Sequence, residues 1–488
     1  MRDRQEAGIA ALISLAIATE PTVILPAVLN SPGNTVVAFG SSQGVARPQT
    51  EITARKGPLR VLRAMLRSDH MVRNSLYLIL SSGLQAAFGF AFWIIAARLF
   101  STTDVGIASS LISATTVISF IALLGLNSTF VRYLPTAHDR DALITVGLLL
   151  VVVCGAGVGL LYVLATPILA PRLAFILHRP ALTIGFILMA VATVVNLLTD
   201  SVFIASRKAG FNALIDGVVG GTAKLLFVLM LAGTGAYGLF CASAGGIAAA
   251  GLASLTLMVI VLDWRPAVRI PFQTIRPLLR FSFVNYVGNG LNLLPVLIVP
   301  LIVLDRLGAS AAAYYFISFQ IATLLYSAAF AVEQNFLAEG SQADVNWRKL
   351  RKRSRRVLMA LCLPPCLALI VAAHWVLLVF GVKYSQHGTL TLILLAVGAI
   401  PIAANNWCLA VLRLAGRLRA IVLSSAVYAG AICGLAWVLA PHGLAALSAA
   451  WPIGSFLGAT VAGLSNDGQA RHRRTASTRW PTSWLTSR

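Results

Sequence analysis

Charge is what this chain has least of. Only 11% of its 488 residues are Asp, Glu, Lys or Arg, while 58% are hydrophobic. A soluble domain carries roughly 25% charged residues, so a water-soluble globular fold is excluded. Acidic residues are scarcer still, 16 against 38 Lys and Arg, which leaves a formal charge of +22. That excess does not mark a nucleic-acid binder, because the cations sit between apolar spans and not on one soluble basic face. Cysteine is sparse too: six residues (154, 241, 362, 366, 408 and 433) are scattered through apolar spans, which rules out a disulfide framework. Cys362 and Cys366 share a helical face, yet they flank Pro364 and Pro365 and have no nearby His or acidic ligand, so they read as packing thiols. The seven His (70, 138, 178, 374, 387, 442 and 472) show no ligand spacing. No Gly-rich phosphate loop of the P-loop type occurs. Neither a metal, a cofactor nor nucleotide hydrolysis is therefore expected.

What is present is length without polarity; the mean hydropathy is +0.84. The organising stretch runs from Gly89 to Pro135. Two apolar spans are joined there by RLFSTTD, a hinge too short to hold any domain. Each span can cross a hydrocarbon core of roughly 30 Å, which needs about 20 helical residues. Asp104 suits the start of the second helix, and Ser101, Thr102 or Thr103 can cap it. This is a transmembrane hairpin, and the chain repeats it.

Twelve spans are predicted, at about 74–97, 105–131, 142–165, 182–206, 211–232, 239–262, 283–304, 311–337, 357–380, 389–412, 420–439 and 444–464. The domain reading is an N-terminal extension (1–73), an N-lobe (74–262), a basic linker (263–282), a C-lobe (283–464) and a basic tail (465–488). In the extension, Gly8 to Ala18 is apolar for about 11 residues, short of a span. Asp3 and Glu6 dilute its charged flank, and no clean small-residue cleavage site follows, so it reads poorly as a signal peptide. A largely disordered segment ending in an interfacial basic helix (Arg55, Lys56, Arg60, Arg63, Arg67) is expected; Met65 and Met71 are equally placed to begin the chain.

Orientation follows from the cations. One set of loops and both ends hold roughly 29 Lys and Arg, and the opposite loops about five: Arg98, Arg172, Arg179, Arg306 and Lys383. Both termini are thus expected in the cytoplasm, as an even number of spans requires. The chain also resembles itself: Arg98-Leu99 closes the first span and Arg306-Leu307 the seventh, about 208 residues later, each followed by a similar turn. Six spans per half in the same orientation make a parallel repeat, the plan of transporters with a path between two lobes.

These residues carry a resemblance. GFAFWIIAARLFSTTDVGIAS (89–109) and LGLNSTFVRYLP (124–135) resemble the polysaccharide-transporter family. That family comprises oligosaccharide and lipopolysaccharide flippases of the multidrug/oligosaccharidyl-lipid/polysaccharide exporter superfamily. PLIVLDRLG (300–308), EG (339–340), FGVKYS (380–385) and PIAANN (401–406) fit it as well, over about residues 72 to 465. The long N-terminal extension departs from the pattern. The resemblance implies an all-α polytopic membrane protein of twelve helices in two six-helix lobes, MATE-like, around a central cavity that opens alternately to each side. It also implies a lipid-linked glycan as substrate.

An ionisable residue inside a span costs about 2.5–3.5 kcal/mol on insertion scales, so each is a functional candidate with a packing alternative. Lys224 and Asp216 share the fifth span at a spacing too long for a direct pair; they face a wet cavity or pair with neighbouring helices. Asp200, four residues after Asn196, is a candidate proton or sodium site or a helix contact, and Asp216 and Glu333 join it as ion-coupling candidates. Asn285, Asn289 and Asn292 fall on one stripe of the seventh span. Their amides can bond sugar hydroxyls or act as interhelical glue. Gln85, Gln320 and Asn405 are further cavity candidates. Arg98 and Arg132 are interface residues or clamps for a carrier pyrophosphate, which guanidinium matches bidentately.

The expected activity is secondary transport and not catalysis. A lipid-linked oligosaccharide of the undecaprenyl-pyrophosphate type would move from inner to outer leaflet of the cell membrane for surface polysaccharide synthesis. Its partners would be that substrate, membrane lipid, and polymerase or ligase machinery, with no nucleic acid. The competing readings are a multidrug exporter of the same superfamily and a polytopic glycosyltransferase or polymerase. The latter is disfavoured because no outer loop exceeds about 17 residues.

Overall fold

The computed structural model describes residues 70–137, 139–208, 210–267, 272–340 and 347–472. Most of the N-terminal extension and the end of the C-terminal tail lie outside these. Among the described residues the chain is helical, without strands. The first half comprises α1 (His70–Leu99), α2 (Thr102–Leu123), α3 (Leu126–Tyr133), α4 (Arg140–Leu169), α5 (Pro180–Ala205), α6 (Gly210–Met230) and α7 (Gly235–Leu262). The second comprises α8 (Phe272–Leu307), α9 (Ala309–Gly340), α10 (Trp347–Phe380), α11 (Val382–Leu414), α12 (Leu418–Leu439), α13 (Leu444–Ser448) and α14 (Ala450–His472). Eleven described helical segments are long and apolar enough to cross a membrane, and α1 adds a shorter apolar stretch, Gly83–Leu99. This is a multi-pass membrane protein.

The expected hairpin forms as its residues dictate. Ser101 caps α2: its Oγ accepts from the Asp104 amide at 3.1 Å and donates to Asp104 Oδ2 at 2.6 Å. Asp104 lies in the first turn, where the helix dipole favours a negative charge. The span expected at 105–131 is not one helix. Leu124 (φ 50) and Gly125 (φ 73) enter the left-handed region, and the chain restarts as α3. Elsewhere helices overrun their apolar spans: α8 begins at Phe272, α10 at Trp347 and α11 at Val382. Hydropathy marks where hydrocarbon is, whereas helix continues wherever backbone bonds can be made.

Burial runs opposite to a soluble protein. Large apolar side chains such as Ile168, Val371 and Leu464 are exposed, as they would be to lipid. The two most enclosed spans are α2, with 72% of its apolar window buried, and α9, with 67%; α4 and α10 reach 22% each. So the hidden helices are the second of each half and the most lipid-exposed are the third. The repeat read from sequence is therefore also a repeat of position.

The halves form two lobes, and their main junction lies between α1–α3 and α8–α10. α2 and α9 start side by side. Thr102 Oγ1 lies 3.4 Å from Ser310 Oγ, and these residues are 208 apart in sequence, at equivalent helix starts. Residues related by the repeat that touch each other mark the axis relating the lobes. The approach is close because Gly106 has no side chain: a Cβ there would sit 1.7 Å from the Ala309 carbonyl oxygen. Small residues at crossings let membrane helices gain van der Waals contact where no hydrophobic effect draws them together. The hydroxyls on α2 are satisfied within the helix, as in Ser110 Oγ to Gly106 O (2.8 Å) and Ser113 Oγ to Ser109 O (3.0 Å).

Each lobe is tied alike at its basic face. Lys208 Nζ donates to Val261 O at 2.7 Å at the end of α7. Arg417 donates to Ser465 O near the end of α14. Cations on terminal carbonyls suit the helix dipole.

Gly106→Leu should prevent the α2–α9 approach and abolish recovery of monodisperse protein on size exclusion in detergent. Gly157→Ala, where an added Cβ meets nothing within 4 Å, should leave the melting temperature unchanged or raise it, consistent with a helix preference of up to about 1 kcal/mol for Ala.

Candidate functional site

The fifth span of the sequence folds unusually. Within α6, Ala213–Gly220 is π-helical, with Asp216 in its middle. A π-helix widens the turn and is found preferentially at functional sites. The segment packs on α1 and α7, and Asp216 turns toward α5. Asn196 Nδ2 of α5 donates to Asp216 Oδ1 at 3.1 Å. The Asp200 and Asp216 carboxyls are close neighbours and repel each other when both are charged. Asn212 Nδ2, at the start of α6, donates to the backbone carbonyl of Asp200 at 3.2 Å.

Three oxygens of this cluster, Asn196 Oδ1, Asp200 Oδ1 and Asn212 Oδ1, are buried and have no hydrogen-bond partner. Most buried polar atoms are satisfied, so three unmet acceptors on one connected group of residues ask for a donor, a water or a cation.

Beside them lies a cavity of ≈ 40 Å³, bordered by Gln85, Thr193, Asn196, Asp216 and Lys224, with Phe88 and Ile247 among its apolar walls. Its walls are mostly apolar, but with these polar groups on its border a cavity of this size has room for water. Lys224 is only 7% exposed. Its stem passes over Gly246, where a Cβ would lie 2.2 Å from Lys224 Cγ. Gly246 is thus the vacancy in α7 through which the lysine reaches the cavity.

Four sequence candidates therefore gather in the N-lobe: Gln85, Lys224 and Asp216 on the cavity, and Asp200 close to Asp216, with Asn196 beside them. Thr193 and Asn212 escaped the sequence reading. Neither is ionisable, and Asn212 sits at the very start of its apolar span, so composition offered no signal.

The other candidates lie apart. Asn292 Nδ2 donates to Ser425 Oγ on α12 at 3.1 Å, a bond between helices of the C-lobe. The side chains of Asn285 and Asn289 lie outside those described. Asn405 is buried, its Oδ1 3.0 Å from where a Cβ of Gly458 on α14 would be. Gln320 borders a small gap at the lobe junction with Phe90 and Trp93 of α1 and Phe380 of α10. Glu333, read as an ion-coupling candidate, is buried on α9 and bonded by Arg413 of α11.

Arg98 and Arg132 stand at opposite faces, so they cannot grip one pyrophosphate together. Arg98 reaches across the lobe junction and donates to the carbonyl oxygen of Val379, at 2.7 Å through Nη2 and 3.1 Å through Nε, and to that of Leu378 at 3.4 Å. These carbonyls lie in the last turn of α10; that of Leu378 also accepts from the Gly381 amide at 3.1 Å. Trp93 packs against Phe316 deeper in the junction, ring centroids 4.6 Å apart and planes tilted by 58°. The junction is thus clasped at the face poor in cations. Arg132 is exposed at the end of α3, its guanidinium 5.4 Å from the centre of the Tyr133 ring.

A family model described as "Polysaccharide biosynthesis protein" matches residues 95–388. No curated protein matches the sequence significantly. Among solved structures, "Lipid II flippase MurJ, inward closed conformation" is similar at a TM-score of 0.67 and 11% identity, over 80% of this chain and 87% of that one. An inward-facing multidrug resistance MATE family transporter of the MOP superfamily gives a TM-score of 0.62 at 14% identity, over 84% of this chain and 100% of that one. An outward-facing MATE transporter gives 0.55 at 14% identity, over 85% and 98%. At such identities the likeness is one of fold. It is the fold expected, two lobes of six spans.

The Glu333–Arg413 pair yields a test. Removing one member of a buried pair strands the other, at a cost of about 3–5 kcal/mol. Arg413→Ala should lower the melting temperature in detergent markedly, and the double variant Glu333→Gln/Arg413→Met should recover most of the loss.

Proposed function

The chain belongs to the polysaccharide biosynthesis protein family, and from that premise we propose that it is a secondary flippase for a lipid-linked oligosaccharide. It carries the glycan head group between leaflets for surface polysaccharide synthesis, with its basic face toward the cytoplasm. The observation that carries the reading is the conjunction of that family match with a two-lobed, parallel-repeat membrane fold. Sugar hydroxyls and a pyrophosphate cannot cross hydrocarbon unaided, since each unsatisfied polar group costs several kcal/mol. A path between two rocking lobes removes that barrier without a covalent step.

In this reading the clasped junction is the state closed to the outside. Arg98 must release the α10 carbonyls before the lobes part there. The Asp200–Asp216 pair, with its unmet acceptor oxygens, is the site of a coupling proton or sodium ion, and Lys224 sets the charge of the same cavity. Loss or gain of a cation would change the packing of the π-helical segment against α1 and so bias one lobe. Asn285 and Asn289 of α8 and Gln320 contact the glycan, and Arg132 meets the pyrophosphate on loading. Polymerase or ligase enzymes would act downstream on the delivered glycan.

A multidrug exporter is the second reading, favoured by the likeness to MATE transporters. Deleting the gene and extracting lipid-linked glycans separates the two. A completed, unpolymerised carrier-linked unit should accumulate at the inner leaflet; drug hypersensitivity with normal glycan would point to the exporter. In proteoliposomes holding a fluorescent lipid-linked oligosaccharide, Asp216→Asn should slow flipping about tenfold, on the order of 1.4 kcal/mol in the barrier, and remove its response to a cation gradient. Arg98→Ala should raise the labelling of a cysteine placed at Ala97 by a membrane-impermeant reagent. Unchanged labelling would show that Arg98 does not hold the junction shut.

A further inference from the structure

The first three turns of α10 carry Lys349, Arg351, Lys352, Arg353, Arg355 and Arg356, all exposed, while Leu350, Ser354 and Leu358 between them are buried. Helical spacing divides these cations. Lys349, Lys352, Arg353 and Arg356 stand at i, i+3, i+4 and i+7, on one stripe opposite the buried face; Arg351 and Arg355 lie off it. Continued up the helix, the same stripe runs through Ala360, Pro364, Leu367, Val371, Trp375 and Leu378, all exposed. Exposed large apolar side chains on a membrane helix face lipid tails. One helix face therefore passes from hydrocarbon contact to four cations along its length, and no described residue covers it. That change puts the cations at the depth of the lipid head groups.

A cleft of ≈ 200 Å³ opens beside them, between α9 and α10. Its floor is apolar (Val332, Phe336, Leu350) and its rim carries Asn335, Glu339 and Arg353. Among the described residues Glu339 faces the stripe, 3.9 Å from Arg353, and both side chains are largely exposed. Lys352 and Arg356, exposed on either side of that pair, keep the stripe cationic. An apolar floor under a polar rim suits the boundary between acyl chain and head group.

We propose that this face of α10 is a binding surface for anionic phospholipid, with Lys349, Lys352, Arg353 and Arg356 holding head-group phosphates of the bordering leaflet and the α9–α10 cleft seating the upper acyl chain. The surface is separate from the N-lobe cavity and from any transported glycan. It anchors the C-lobe at the level where its helices meet the head groups, and it makes the protein responsive to the anionic lipid content of the membrane.

Native mass spectrometry of the full chain in detergent, titrated in parallel with phosphatidylglycerol and phosphatidylcholine, tests this. The wild type should retain phosphatidylglycerol at least about tenfold better, given that each cation near the surface contributes roughly a fivefold preference. The variant Lys349→Gln/Lys352→Gln/Arg353→Gln/Arg356→Gln should lose that preference, and Arg351→Gln/Arg355→Gln, off the stripe, should keep it. If the fourfold variant fails to fold, Lys352→Gln/Arg353→Gln carries the test with a partial loss. Equal loss in on-stripe and off-stripe variants, displacement of the lipid by inorganic phosphate alone, or retention of poly-glutamate with no preference among lipids would each overturn the proposal.

Discussion

Two backbones meet where Gly106 forgoes a side chain, and the rest of the molecule is arranged about that contact. A water-soluble protein would bring such helices together by hiding apolar surface. In a bilayer that driving force is missing, because lipid tails are as apolar as leucine. What remains is close van der Waals contact, and close contact needs small residues. The α2 run of Gly, Ala and Ser, set against the Ala-rich start of α9, supplies it. Because α2 and α9 hold equivalent places in the two halves, this one crossing defines both the lobe junction and the axis of the repeat. The lipid-exposed helices α4 and α10 each pack against one member of that crossing and turn most of their surface outward.

Much of the architecture was legible in the residues. The twelve apolar runs, the cap at Ser101 and the matching Arg-Leu closures of the first and seventh spans all follow from local chemistry. The helix ends were not legible, because hydrophobicity reports the medium around a helix and not its backbone bonding. The break at Leu124–Gly125 was hidden for a different reason: no proline or charge interrupts the run, and the left-handed turn is made by a leucine as well as a glycine. The same limit applied to the polar residues. Ionisable groups announced themselves by their cost in hydrocarbon, so Asp200, Asp216 and Lys224 were visible. Whether a neutral amide faces a cavity or another helix depends on neighbours distant in sequence, so Asn292, bonded to Ser425, and Asn196, bonded to Asp216, look alike in the sequence. Glu333 stood out by its charge, but its partner Arg413 had been read only as a loop cation.

The two lobes share a plan and divide the chemistry unequally. Lys208 and Arg417 occupy corresponding turns and make corresponding bonds, which fixes the register between halves. Carried back along that register, Asn196, Asp200, Asp216 and Lys224 fall on Asn405, Leu409, Ser425 and Cys433. One copy kept the charges and the other kept only neutral groups. The C-lobe buries its own charge elsewhere, at Glu333 beside Arg413, so the two halves place their ionisable groups at different positions of one plan. The π-helical stretch in α6 belongs to the charged half, where an added residue per turn turns Asp216 toward Asp200.

Arg98 takes hold of main-chain oxygen, not of any side chain on α10. Every amino acid offers that oxygen, so positions 378 and 379 can drift among apolar types to suit the lipid around them while the grip persists. The arginine has no such latitude, since a lysine brings one point charge where the fork of a guanidinium spans two neighbouring carbonyls. A fastening of this kind tolerates a changing surface and an unchanging key, so divergent relatives could preserve the closure while sharing almost none of the sequence it closes upon.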